Sequence, residues 1–433
     1  MKRSNVVWLS LSGVVAMAAA ASFALARAPA LAPVSTPAPD AFPRDLRAAG
    51  ARVVALGDCM VCHTAEGSAP FAGGVPLKTP FGTIYATNIT PDRATGIGTW
   101  SLAAFTRALR EGRSRDGTLL YPAFPYVHFT RMSDADIQAA YAYLMSRTPV
   151  RATAPANHLI FPLGWRPLLA FWNVLFLAPG PHATDVARDM SPADRDVGDG
   201  RYLADALGHC AACHTPLNVL GAERADHAFE GGVIEGWDAP PLNALAQGNR
   251  PWTVAQLTGY LRTGSDSEHG VAAGPMRAVT RDLARVPEAD VRRMAMYFLS
   301  LHTPRPAARP VSSAGVPPAT PMLDASVARG RSLFTASCAA CHGAAAPMQM
   351  IGRRPALDRS DDVRAERPRN AVRVILQGIA WQRAEATDYM PAFAQTYDDR
   401  QVADIANYVR ATYSTQPAWN ATEKSVAALR GKD

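Results

Sequence analysis

The chain has only six cysteines in 433 residues, and none stands outside three copies of one short pattern. It has just four lysines, so its 44 basic side chains are nearly all arginine, and they are scattered rather than gathered into blocks. That excludes the basic tract expected of a nucleic-acid-binding protein. Aromatic residues make up only 8 % of the chain, little for three ordinary hydrophobic cores. There is no dinucleotide fingerprint, P-loop or Ser/His/Asp arrangement, which removes the common signatures of nicotinamide, nucleotide and acyl-transfer chemistry. Long apolar runs are equally scarce. Val6 to Ala26 is uncharged over 21 residues, whereas Leu159 to Ala178 is interrupted by Pro162, Arg166 and Pro167. The uninterrupted part, Leu168 to Ala178, is too short to span a bilayer and reads as a packing or docking segment.

What is present is Cys-x-x-Cys-His, three times: Cys59 to His63, Cys210 to His214 and Cys338 to His342. Two thiols spaced this way can form thioethers to the two vinyl groups of one haem. The histidine that follows is then placed to bind the iron. A zinc site would need four ligands gathered locally, and these motifs lie roughly 130–150 residues apart. A thioredoxin-like redox pair, or disulfides in an exported chain, would leave His63, His214 and His342 without a role. The expectation is three covalently attached haem c groups, held by Cys59, Cys62, Cys210, Cys213, Cys338 and Cys341. His63, His214 and His342 are the expected iron ligands.

The N-terminus agrees with export, since haem is attached to such motifs outside the bacterial cytoplasm. Lys2 and Arg3 precede the apolar run, and Ala24-Leu25-Ala26 resembles a cleavage site. Residues 1–26 are therefore expected to be a signal peptide or a retained anchor, and the chain to be periplasmic and associated with the inner membrane. The formal charge of +7 is offset by about −6 from the propionates of three haems.

The chain reads as three tandem all-α domains at 44–150, 195–303 and 324–415, joined by Pro-rich and irregular linkers. Each opens with a helical segment running into the haem motif. Each closes on an amphipathic helix carrying Tyr143, Tyr297 or Tyr408, seven residues after Asp136, Asp290 or Gln401. The tyrosines are expected to pack between terminal helices.

The sixth iron ligand should come from the loop before each closing helix. Met390 lies eleven residues before Gln401, and Met276 fourteen before Asp290. Both are expected ligands, ahead of Met322, Met348 and Met350, while Met294 and Met296 belong to the core. In the first domain the corresponding position is Phe124, which cannot bind iron. His128 and Met132 are the candidates there; a histidine would give the first haem a lower potential than the other two.

Three stretches carry a resemblance. Thr79 to Asp92, Thr95 to Ser101 and Asp116 to Ala123 resemble the triheme cytochrome c subunits of membrane-bound alcohol dehydrogenases, as Phe229 to Pro240 does in the second domain. The likeness covers nearly the whole mature chain in the same order. It implies a non-catalytic electron-transfer subunit that takes electrons from a periplasmic dehydrogenase subunit and passes them to ubiquinone or a respiratory oxidase. Pro122 to Phe129, and Asn157 to Leu177, look more like cytochromes paired with molybdenum hydroxylases of the nicotinate, isoquinoline or aldehyde type. A quinoprotein alcohol dehydrogenase is the alternative partner. A haem enzyme of peroxidase type is a further alternative, for which only the first domain could offer an open iron.

Overall fold

The computed structural model describes residues 26–180, 191–247, 249–301, 321–343, 346, 356–379, 389–420 and 422–431. The N-terminal segment, most of the Thr303–Leu323 linker, Met348 and Met350 lie outside these residues. The chain divides into two compact units. One runs to Ala212 and includes Leu217–Arg224; the other holds Cys213–Pro216 and everything from Ala225 onward. The division falls inside the 195–303 segment.

The first unit contains α1 (Arg44–Leu56), α2 (Leu102–Glu111), α3 (Asp134–Met145), α4 (Leu169–Phe176) and α5 (Pro192–Arg201), which continues as a π-helical turn over Tyr202–Leu207. The second contains α6 (Val254–Thr263), α7 (Pro275–Leu283), α8 (Glu288–Ser300), α9 (Pro321–Ser337), α10 (Arg369–Gln377), α11 (Asp399–Tyr413) and α12 (Thr422–Arg430). Helix starts follow the polar residues in the sequence. Ser133 accepts from the Asp136 amide at 3.1 Å, and Asp398 and Gln401 form a reciprocal capping box.

The fold is predominantly helical, in line with the expectation, and a few short strands accompany the helices. Small antiparallel sheets are present: β1 (Pro76–Thr79) and β2 (Gly82–Tyr85) with β3 (His158–Leu159), and β4 (Gly232–Ile234) with β5 (Trp237–Ala239). Thr79-Pro-Phe-Gly is the turn of the first hairpin. Gly82 has φ 121°, and a Cβ there would lie 2.1 Å from the His158 carbonyl oxygen. Short alternating strands between long helices leave little periodic signal, which is why the pattern reads as helix alone.

The opening and closing helices cross through glycine. A Cβ on Gly50 of α1 would stand 2.0 Å from the Ala139 carbonyl oxygen and 2.7 Å from Tyr143 Cβ. A Cβ on Gly330 of α9 would meet the Asp404 carbonyl oxygen at 2.0 Å and Tyr408 Cβ at 2.8 Å. Tyr143 and Tyr408 thus stand at equivalent helix crossings. The second crossing is also clasped by a fork: Arg329 Nε and Nη2 donate to Asp404 at 2.6 and 2.8 Å. Gly50→Ala and Gly330→Ala are each expected to lower unfolding stability by about 1–3 kcal/mol through overpacking. Denaturant titration checks this, and a neutral result would contradict the crossing.

Candidate haem-binding sites

All six motif cysteines are among the described residues, and none is joined in a disulfide. The first two motifs are entered through the same kind of turn. α1 ends at Gly57, and Asp58 takes a left-handed φ of 48° before Cys59. The π-turn ends at Gly208, and His209 takes φ 39° before Cys210. A Cβ on Gly57 would lie 3.5 Å from Cys59 Sγ, and one on Gly208 would lie 3.3 Å from Cys210 Sγ. A side chain at position 208 would therefore crowd the Cys210 sulfur, while one at position 57 would only touch that of Cys59. One-turn helices follow, at Cys59–His63, Ala211–His214 and Ala339–His342. Residues three apart share a helix face, which sets the Cys59 and Cys62 thiols on one side. The third motif is reached differently: α9 runs to Ser337, and the Cys338 amide donates to the Phe334 carbonyl at 2.8 Å.

The imidazoles of the first two motifs are oriented by backbone. His63 Nδ1 donates to the Thr87 carbonyl at 2.6 Å, and His214 Nδ1 donates to the Pro240 carbonyl at 2.7 Å. A carbonyl only accepts, so the proton sits on Nδ1 and Nε2 keeps its lone pair. Desolvation by burial lowers both pKa values, favouring the neutral ring that a metal needs.

The surroundings repeat closely. The Gly73 amide donates to His63 O at 2.8 Å and the Gly231 amide to His214 O at 2.9 Å. The Phe71 amide donates to Thr64 Oγ1 and the Phe229 amide to Thr215 Oγ1, each at 3.0 Å. Phe71 and Phe229 both adopt left-handed backbone, at φ 64° and 60°. Each sets its ring edge against a closing-helix tyrosine, Tyr143 at 6.3 Å and Tyr297 at 6.2 Å.

Thr87 and Pro240 are the functional positions that motif reading missed. They act through main-chain carbonyls, which any residue type could supply. A signal was nonetheless available: both lie just past a hairpin strand, in the stretches that carry the resemblance.

The expected sixth ligands are placed as follows. Met276 is the second residue of α7, half-buried, and Gly274 before it has φ 53°. A Cβ on Gly274 would stand 2.4 Å from the Trp237 ring, so the loop lies flat on that indole. Met390 is fixed by a two-way backbone bridge to Ile379, at 2.8 and 3.0 Å. It borders the same hydrophobic cluster as Cys338, beside Phe334, Val402 and Ile405. The structure thus brings Met390 and Cys338, the first cysteine of the third motif, to one core.

In the first domain Phe124 stacks obliquely on Phe129 at 5.5 Å, as a packing residue. His128 is buried at 3 % exposure. Its Nδ1 meets the Asp205 carbonyl at 2.8 Å, and its Nε2 meets Glu223 Oε1 at 2.6 Å. Both partners are acceptors. When both nitrogens donate, no lone pair is left for iron, unlike His63 and His214. Met132 is also 3 % exposed.

The donor set fits covalently bound haem: paired thiols, a following imidazole whose Nδ1 is fixed in the first two motifs, and methionine sulfur at the start of α7 and in the Ile379 bridge. The group itself would supply a one-electron iron couple. The protein's share is attachment, ligand orientation and exclusion of water.

Residues 47–148 match the cytochrome c family, and residues 325–409 match the family of cbb3-type cytochrome c oxidase subunit III. A nicotinate dehydrogenase subunit of Pseudomonas putida is 44 % identical over 99 % of this chain, which spans only 36 % of that relative's length. The gluconate 2-dehydrogenase cytochrome c subunit of Pantoea cypripedii is 34 % identical over 88 % of each chain. The cytochrome c subunit of the quinone alcohol dehydrogenase of Gluconacetobacter polyoxogenes is 33 % identical over 95 % of this chain and 88 % of its own. The chain belongs to the cytochrome c subunits of bacterial dehydrogenases.

Proposed function

We propose that this chain carries three covalently attached haem c groups and passes electrons from a dehydrogenase catalytic subunit to ubiquinone or a respiratory oxidase. Cys59 and Cys62, Cys210 and Cys213, and Cys338 and Cys341 hold the groups. His63, His214 and His342 bind from one side, and Met276 and Met390 complete the second and third. Met132 completes the first, because His128 is held by Asp205 and Glu223. The observation that carries this reading is the matched fixing of His63 and His214 by carbonyls, which leaves the same nitrogen of each ring available. With thioether sulfur opposite each imidazole, no open iron is left for peroxidase chemistry.

The partner we favour is a molybdenum hydroxylase, on the resemblance in Pro122–Phe129 and the 44 % identity to the nicotinate dehydrogenase subunit. A quinoprotein partner is supported by the near full-length match to the alcohol dehydrogenase cytochrome subunit. Purification from native periplasmic membranes tests the reading. A molybdenum protein that co-purifies, and reduces the haem bands when given its substrate, is the expected result. A cytochrome that no copurifying dehydrogenase reduces would refute it.

Membrane association is part of the proposal. Among the described residues no helix is long and apolar enough to cross a bilayer. α4 and the loop before it expose Ile160 (60 %), Phe161 (92 %), Val174 (68 %) and Leu175 (65 %). The other side of α4 is committed inward: Asn173 accepts from the Tyr126 hydroxyl at 2.7 Å, and Trp172 Nε1 donates to the Leu220 carbonyl at 3.0 Å. Such a segment suits lying in a lipid surface rather than spanning it.

A further inference from the structure

We propose that His209 is a positioning residue that pins the attachment turn of the second haem motif to that of the first. The inference rests on the haem reading above. Both turns, Gly57-Asp58-Cys59 and Gly208-His209-Cys210, belong to the first compact unit.

Burial, together with the neighbouring His128, holds the His209 imidazole at a pKa of about 4, so the ring is neutral near pH 7. Its Nε2 lies 3.2 Å from the Gly57 carbonyl oxygen. That oxygen can only accept, so Nε2 carries the proton and donates. Gly57 is two residues from Cys59, and His209 is next to Cys210. One hydrogen bond therefore joins the two attachment turns directly. The ring's edge is fixed as well, standing 5.5 Å from Phe129 at 82°.

The backbone shows that this side chain has a use. At φ 39° His209 is left-handed, a conformation that strains a non-glycine residue. Glycine would take it without strain but would bring no donor. Two further links hold the same segment. His128 reaches the Asp205 carbonyl and Glu223. The Tyr202 hydroxyl donates to Asp136 at 2.6 Å and accepts from the Ser133 amide at 2.8 Å. These ties fix the segment as a whole, while the His209 side chain reaches the turn before Cys59.

The consequence is for electron exchange between the first two groups. One iron gains the electron that the other loses, with no atom or proton transferred, and the rate depends on how rigidly the attachment points are held. Loss of His209's donor leaves the haems attached but their spacing loose.

The test uses the full-length holoprotein and two variants. H209F keeps an aromatic ring against Phe129 without a donor, and H209Q restores an N–H. Haem per chain, the circular dichroism couplet of the Soret band and electron redistribution after flash reduction are measured. All forms should carry the parent haem content. H209F should alter the couplet and slow exchange relative to the parent, and H209Q should recover both. Parent-like behaviour of H209F would overturn the proposal. So would an H209Q as impaired as H209F, because packing alone would then be at work. If H209F does not accumulate, H209L against H209Q gives the same comparison. Fewer than two haems in the parent would be a different failure, that of the haem reading itself.

Discussion

Replacing Met276 or Met390 by alanine should each remove one methionine–iron band and lower one haem potential by on the order of 100 mV, part of the ~0.8 V range that axial ligands command. The expectation rests on how each thioether is held. Gly274, pressed on Trp237, starts α7 so that Met276 falls in its first turn. The Ile379 bridge anchors Met390 beside the core that Cys338 also borders. Alanine keeps both backbone arrangements and removes only the sulfur. The iron would then take water or stay five-coordinate, and exogenous carbon monoxide would bind the reduced form. The two effects should appear at different haems and add, since the residues lie on different elements, α7 and the Ile379 bridge. An unchanged spectrum in either variant would exclude that methionine as a ligand.

The second large effect separates Met132 from His128. Met132→Ala should abolish the methionine–iron band of the first haem. It should also cost about 2–5 kcal/mol, because a buried methionine is truncated. His128→Ala should leave that band in place. Its cost should be about 1–3 kcal/mol, from the lost bonds to the Asp205 carbonyl and Glu223. Redox titration and near-infrared spectra, with denaturant titration alongside, read both outcomes. Loss of the first haem's low-spin state in His128→Ala, with Met132→Ala unaffected, would reverse the assignment.

Much of this site is legible in the sequence. Cys-x-x-Cys-His names its own ligands, because thioether attachment and proximal binding demand fixed residue types at fixed spacing. The proposed methionine ligands, Met276 and Met390, rest on the repeat register ending at Tyr143, Tyr297 and Tyr408. What stays hidden acts through backbone or through distant pairing. The Thr87 and Pro240 carbonyls orient the imidazoles without any side-chain signature. His128 is a candidate ligand because register places it in the loop before the closing helix. Its partners, Asp205 and Glu223, come from 77 and 95 residues further along the chain. Only the fold brings those acceptors to both nitrogens. The small sheets escape notice for a related reason: strands of two to four residues carry too few alternations to register as a period.

The proposed electron path depends on the number of haems the chain carries. The most direct test is the intact mass of the acid-denatured protein expressed with haem attachment in its native compartment, because only thioether-linked haem survives denaturation. The account predicts the mature polypeptide plus three haems, falling by one haem in each of Cys59→Ala/Cys62→Ala, Cys210→Ala/Cys213→Ala and Cys338→Ala/Cys341→Ala. A mass with two haems or fewer, or haem released by acid, would contradict it.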